Sequence, residues 1–133
     1  SLTVSPDGRW VAYQSAMSGR GEIDVRPFPG PGATTRVTRD GGGRPRFAPR
    51  GGEILFIRGD RIIAASYGIE AGRFVTRGER VVTEAPFALG PAWIDTLDGR
   101  RFLVPLRVAD PSPPRLQVVL NGAAEFLRGA ARP

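Results

Sequence analysis

The sequence predicts an all-β chain built from repeated four-stranded antiparallel units, and three observations carry that prediction. The stretch Ser5-Pro6-Asp7-Gly8-Arg9-Trp10-Val11-Ala12-Tyr13 returns in altered form as Ala48-Pro49-Arg50-Gly51-Gly52-Glu53-Ile54-Leu55-Phe56 and again as Thr96-Leu97-Asp98-Gly99-Arg100-Arg101-Phe102-Leu103-Val104. Each copy is a tight turn feeding an apolar strand, and the copies follow one another at 43 and 48 residues, close to the roughly 40–45 residues of a propeller blade. The 18 Gly and 13 Pro among 133 residues approach the roughly 25–30% at which disorder becomes the default reading. They fall between apolar runs of strand length, however, which is the distribution of short strands joined by turns. Finally, the length suits one domain with one core. The expected architecture is therefore a single partial β-propeller over 1–133, with about three blades (1–43, 44–87 and 88–120) and a tail from 121 that carries a short C-terminal helix.

In the first unit Leu2-Thr3-Val4 is a short strand that ends at the turn. Pro6 presets φ for the second turn position, Ser5 is placed to hydrogen-bond forward, and Gly8 closes the turn without a clash. Trp10–Ser15 is the next strand, and Glu22–Arg26 follows with strict polar/apolar alternation, the mark of a half-buried strand. Pro27, Pro29 and Pro31 break the ladder before Thr34–Thr38, a β-branched run suited to an outer edge. Asp40-Gly41-Gly42-Gly43 reverses the chain into Arg44–Phe47, the inner strand of the second unit. Ile54-Leu55-Phe56-Ile57 is apolar without interruption, as expected of a strand covered on both faces. Arg58-Gly59-Asp60-Arg61 reads as a hairpin turn into Ile62–Tyr67. A longer connection through Gly72 leads to two pieces, Phe74–Thr76 and Arg80–Thr83, one of which should be the outer strand. The third unit spans Ala88 to Leu120, and Asn121 is placed to cap a helix over Ala123–Arg128 that Gly129 would end.

Composition excludes several function classes. Cysteine and histidine are both absent, which removes disulfide frameworks, Cys/His zinc sites and Cys-His or Ser-His-Asp catalytic groups. The net charge is +6, and all 19 basic residues are arginine. They are scattered with acidic residues between them, so a solvated surface is favoured over a nucleic-acid face, and the absence of lysine points to codon bias. Neither a signal peptide nor a run of 18 apolar residues occurs. Because the first residue, Ser1, is not methionine, the sequence reads as a piece of a longer chain.

The candidate site residues are Arg44, Arg46 and Trp93. An inner blade strand lines the central channel, where propellers bind ligands and peptides, so Arg44 and Arg46 would face the channel mouth with Phe47 turned away; ordinary solvation at the rim is the simpler reading. Trp10 and Trp93 suit stacking platforms, although packing in the core or between blades is the plainer role. Asp40-Gly41-Gly42-Gly43-Arg44 has the amides for an anion but no following helix to add its dipole, which favours a simple strand connection. Glu22 and Asp24 share a strand face as paired carboxylates would, and a solvated face is expected of them instead. No metal, cofactor or catalytic residue is expected.

Ser5-Pro6-Asp7-Gly8-Arg9 with its apolar strand resembles the TolB-like, WD-type propeller repeats of bacterial proteins. Val25-Arg26-Pro27-Phe28-Pro29-Gly30, Asp40-Gly41-Gly42 and Val118-Val119-Leu120-Asn121 resemble the last blades of one subgroup, the C-terminal propellers of bacterial transmembrane serine/threonine protein kinases. That subgroup carries aromatic residues after the asparagine, where this chain has Gly122-Ala123. The resemblance implies a non-catalytic recognition or scaffold domain, the sensor or protein-interaction part of a larger envelope protein, periplasmic or at the cell surface. It implies a protein or peptide partner, further blades or self-association to close the ring, no nucleic acid, and membrane contact only through a segment elsewhere. Any kinase activity would lie outside this chain, which has neither the glycine-rich phosphate loop with its lysine nor the catalytic aspartate loop. Two alternatives from other classes are an accessory propeller of a prolyl-oligopeptidase-like hydrolase, for which no Gly-x-Ser-x-Gly elbow is present, and an anion or nucleic-acid binder using arginine.

Overall fold

The computed structural model describes residues 1–17, 19–84, 95–96, 98 and 101–103. They form ten strands: β1 (Leu2–Val4), β2 (Trp10–Ser15), β3 (Glu22–Pro27), β4 (Thr35–Arg36), β5 (Gly43–Phe47), β6 (Glu53–Arg58), β7 (Arg61–Glu70), β8 (Arg73–Glu84), β9 (Asp95–Thr96) and β10 (Phe102–Leu103). Strands β1 to β4 make one antiparallel four-stranded meander and β5 to β8 a second, while β9 and β10 pair with each other. The helix expected over Ala123–Arg128 and the rest of the third unit lie outside the described residues.

The two meanders repeat one local design. Gly8 N–H donates to Ser5 O (2.9 Å), Ser5 N–H to Trp10 O (2.8 Å) and Phe28 N–H to Arg9 O (2.8 Å) in the first. In the second, Gly51 N–H donates to Ala48 O (2.8 Å), Ala48 N–H to Glu53 O (2.9 Å) and Tyr67 N–H to Gly52 O (2.9 Å). Ser5 adds side-chain bonds that Ala48 lacks: its hydroxyl donates to Asp7 Oδ1 (2.5 Å) and accepts from Trp10 N–H (3.0 Å). The backbone frame thus persists where the turn chemistry has changed. Both turns need a residue in the left-handed region, and glycine supplies it, Gly8 at φ 71° and Gly51 at φ 72°.

Cross-strand register sorts the side chains into faces. On the first sheet, Leu2, Tyr13, Asp24 and Arg36 form one row and Val4, Val11 and Arg26 the next; we call this the front. Thr3, Ala12, Val25 and Thr35, with Ile23 beside them, form the back. On the second sheet, the equivalent front rows are Phe47, Ile54, Ala65 and Glu79, then Phe56, Ile63 and Val81. The front of the second sheet packs on the back of the first, and one buried cluster joins Trp10, Ala12, Ile23, Val25 and Val37 to Phe47, Ile54, Phe56, Ile63, Ala65 and Phe74. Burying these side chains is the main stabilising term, about 1.5–3 kcal/mol for each large one.

Trp10 lies in this core, its ring 5.3 Å from that of Phe74, which in turn stacks on Tyr67 at 4.5 Å. Phe74 comes from the far half of the β7–β8 hairpin, which runs on beyond β6 and reaches the first sheet; Thr35 Oγ1 meets Phe74 O there at 3.5 Å. The run Ile54–Phe56 is buried on both faces, since Leu55, Ile62 and Ala64 on the back of the second sheet are also buried.

Several boundaries differ from the sequence reading. The two pieces around Arg77-Gly78-Glu79 are one continuous strand, β8, with register shifts that take up the irregularity. The connection through Gly72 is a tight hairpin turn: Glu70 pairs Arg73, and Ala71 (φ 48°) and Gly72 (φ 73°) both have positive φ, as a type I′ turn requires. The expected strand Thr34–Thr38 shrinks to Thr35–Arg36. Past Arg36 the ladder continues differently, because Val37 N–H donates to Ile23 O (2.8 Å) while Ile23 N–H donates to the Thr38 hydroxyl (2.9 Å).

Candidate functional site

Two polar features organise the first sheet. Glu22 and Asp24 open β3, and both side chains are buried, which corrects the expectation of a solvated face: Thr38, the glycine turn and Arg36 cover what alternation alone would leave to water. Glu22 Oε2 accepts from the Thr38 hydroxyl (2.5 Å) and from Gly41 N–H (3.2 Å), with Arg20 Nε at 3.4 Å from the other oxygen. Asp24 accepts from Arg36 through both oxygens (3.0 and 3.4 Å). The two carboxylates therefore have separate partners, and burial is compensated at each. The Asp24 hydrogen bond, followed by its charge, holds the Arg36 guanidinium above its usual range.

The glycine turn serves this network. Its Gly41 amide is taken by Glu22, Gly42 N–H donates to Gly21 O (2.8 Å), and Arg58 Nε donates to Gly41 O (2.9 Å). An amide already bonded to a carboxylate is not available to an external anion, so the turn acts as the strand connection that its lack of a following helix suggested. Gly42 is required sterically, since a Cβ there would stand 2.8 Å from the Phe56 ring. Arg58 also binds Glu79 through two nitrogens (2.7 and 3.0 Å), and this bond, ahead of the opposing loss of hydration, raises its pKa.

Of the candidate residues, Arg44 and Arg46 lie half-buried on β5. The register shift between Gly43 and Arg46, with Arg44 at φ 55°, is a bulge, so simple alternation does not run through this stretch. Arg46 pairs with Leu55 on the back of the sheet, and Phe47 pairs with Ile54 on the front. Trp93 lies outside the described residues. Asp98 accepts from Arg101 N–H (2.9 Å) and from Arg101 Nε (2.9 Å), and Asp7 accepts from Arg9 N–H (3.1 Å).

Comparison with family models and with curated proteins gives no match for this chain. Its functional reading therefore rests on its own geometry.

The surface that sequence reasoning passed over is the front of the first sheet. Leu2 and Val4 are exposed there, and Val11 and Tyr13 half-buried, around the Asp24–Arg36 pair. The signal was indirect: Val4 and Val11 stand where the second unit has Phe47 and Ile54, so aligning the repeats marks them as interface positions.

Proposed function

We propose that this chain is a non-catalytic recognition and scaffold unit of the β-propeller type, part of a larger bacterial envelope protein of the kinase-associated kind that its turn motifs resemble. The observation that carries the reading is the front-to-back stacking of two equivalent meanders, with inner strands β1 and β5 against each other. Units that use one face to dock on their predecessor and offer the other to a successor generate an array, and arrays of four-stranded sheets are how propellers are built. The carboxylates support the same reading, because Glu22 and Asp24 are each committed to structural partners. Recognition of a protein or peptide would then fall to the inner-strand end, where Arg44 and Arg46 sit, and any kinase or hydrolase activity to polypeptide outside this chain.

The test is selection of a displayed random peptide library on the immobilised chain, repeated on the Arg44→Ala/Arg46→Ala variant. A peptide family enriched by the parent and bound about 10-fold or more weakly by the variant is the expected result. Selection of the same peptides with equal strength on both, or of none, would overturn this placement of the recognition site.

A further inference from the structure

The two sheets are equivalent, but their fronts are not equally covered. On the second sheet Phe47, Ile54, Phe56, Ile63 and Ala65 are buried against the back of the first. The matching positions of the first sheet are Val4, Val11, Tyr13, Asp24 and Arg26, as the three paired turn hydrogen bonds align them. Here Val4 is 41% exposed, and on the same side Leu2 is 68% exposed. Isolated surface apolar residues need no explanation, but a contiguous group at positions whose repeat equivalents form an interface does.

We propose that the front of the first sheet is a docking surface for the back of another four-stranded sheet of this repeat, carried on polypeptide outside residues 1–133. The proposal rests on the propeller-type reading above and names the partner of one specific face. Three features define the occupant. Its inner and middle strands carry small aliphatic side chains, as Ala12, Ile23 and Val25 do on the back that receives the second sheet. It brings a hydrogen-bonding group to the middle of the interface, because Tyr13 and the Asp24–Arg36 pair stand where the second sheet has Phe56 and Ile63. It presents an acceptor near Arg26, which replaces the apolar Ala65 and is exposed.

A second copy of this chain does not meet that description. The back of its first sheet is filled by its own second sheet, and Leu55, Ile62 and Ala64 on the back of the second are already buried. Pairing two fronts would bring the exposed Arg26 and Arg36 of both copies into one interface, a concentration of like charge that disfavours association.

The absence of cysteine makes the test direct, since an introduced thiol is the only one. The probe is a duplicate of residues 1–43 fused ahead of Ser1 of the full chain, whose back carries aliphatic Ala12, Ile23 and Val25 together with Thr3 and Thr35, hydroxyls that can donate and accept. Reaction rates of Val4→Cys and Ala65→Cys with a maleimide are compared in the full chain and in the fusion. We expect Val4→Cys to react freely in the full chain and about 100-fold more slowly in the fusion, with Ala65→Cys protected in both. An unchanged Val4→Cys rate in the fusion would overturn the proposal. So would loss of Ala65→Cys protection in the fusion alone, which would mean that the added unit displaces the native stack, or protection of Val4→Cys in the unextended chain with a doubled mass by light scattering, which would make a second copy the occupant. Ala65→Cys reactive in the unextended chain is a separate outcome: it would refute the stacking of the two sheets, and with it the basis of both proposals.

Discussion

Removing the Glu22 carboxylate should destabilise the junction between the two sheets more than any surface ion pair in the chain. In Glu22→Ala the Thr38 hydroxyl and the Gly41 amide lose their acceptor. Thr38 is fully buried, so its hydroxyl bears the desolvation penalty of an unsatisfied buried group, about 1–3 kcal/mol. Gly41 is only half-buried and water reaches it, which places it near the lower end of the same range. Arg20 is largely exposed, and losing that pair adds little. The expected cost is therefore about 2–4 kcal/mol. At an m-value of about 2 kcal/mol/M, this lowers the urea midpoint by about 1–2 M. Thr38→Val should cost about as much by a different route, since it strands Ile23 N–H and deprives Glu22 of a donor. The double variant distinguishes a network from two independent sites: because both changes break the same bond, their effects should fall short of additivity by about 1 kcal/mol or more. Glu22→Ala within about 0.5 kcal/mol of the parent, or strictly additive effects, would refute the assignment of this carboxylate to the sheet junction.

Two further outcomes follow from the packing. Gly42→Ala should cost about 1–3 kcal/mol by overpacking, because the new Cβ would meet Phe56 and Thr38, both fully buried; Gly78→Ala, with nothing within 4 Å, should leave the same urea midpoint nearly unchanged. Loss of hydration on burial, opposed by a backbone hydrogen bond at Gly52, raises the Tyr67 phenol above its ordinary pKa near 10. A phenol raised in the folded state stabilises fully below its unfolded pKa and loses that contribution as pH rises through the folded value. Stability should thus fall above about pH 10 with an alkaline slope that Tyr67→Phe reduces, measured by denaturant titration and by phenolate absorbance.

The strands most legible in the sequence were those whose signals are local. β1 and β2 begin and end where the Ser-Pro-Asp-Gly turn and the apolar run place them, and Gly59-Asp60 closes the β6–β7 hairpin as its glycine suggests. β8 reads as two pieces in the sequence because the apolar and β-branched run lapses over Arg77-Gly78-Glu79. An edge strand tolerates that sequence, since the side chains of Arg77 and Glu79 to Val81 are exposed there and its arginines pair with glutamates across the sheet, as Arg77 does with Glu70 and Arg80 with Glu53. Local preference also misled at Ala71, whose positive φ is imposed by the two-residue closure of the hairpin.

The polar side chains were harder to place because burial by another layer is not a local property. Glu22 and Asp24 alternate with Ile23 and Val25, and alternation specifies only that the two sets face opposite ways, not that either faces water. What covers Glu22 is Thr38 and Gly41, 16 and 19 residues later in the chain, and nothing in the spacing of β3 announces them. Repeat alignment recovers part of this missing information. It places Asp24 opposite Ile63 and Arg26 opposite Ala65, so the polar residues of the first sheet occupy positions that the second sheet uses for packing. The backs diverge less, with Ala12, Ile23 and Val25 matched by Leu55, Ile62 and Ala64. In the array proposed above, a common aliphatic back would receive any unit, whereas fronts that differ in charge and hydrogen bonding would discriminate among them. In such an arrangement the order of the units would be written on one face, and the Asp24–Arg36 pair, whose guanidinium is 45% exposed in this chain, would on being covered contribute more to choosing the neighbour than to the strength of the contact.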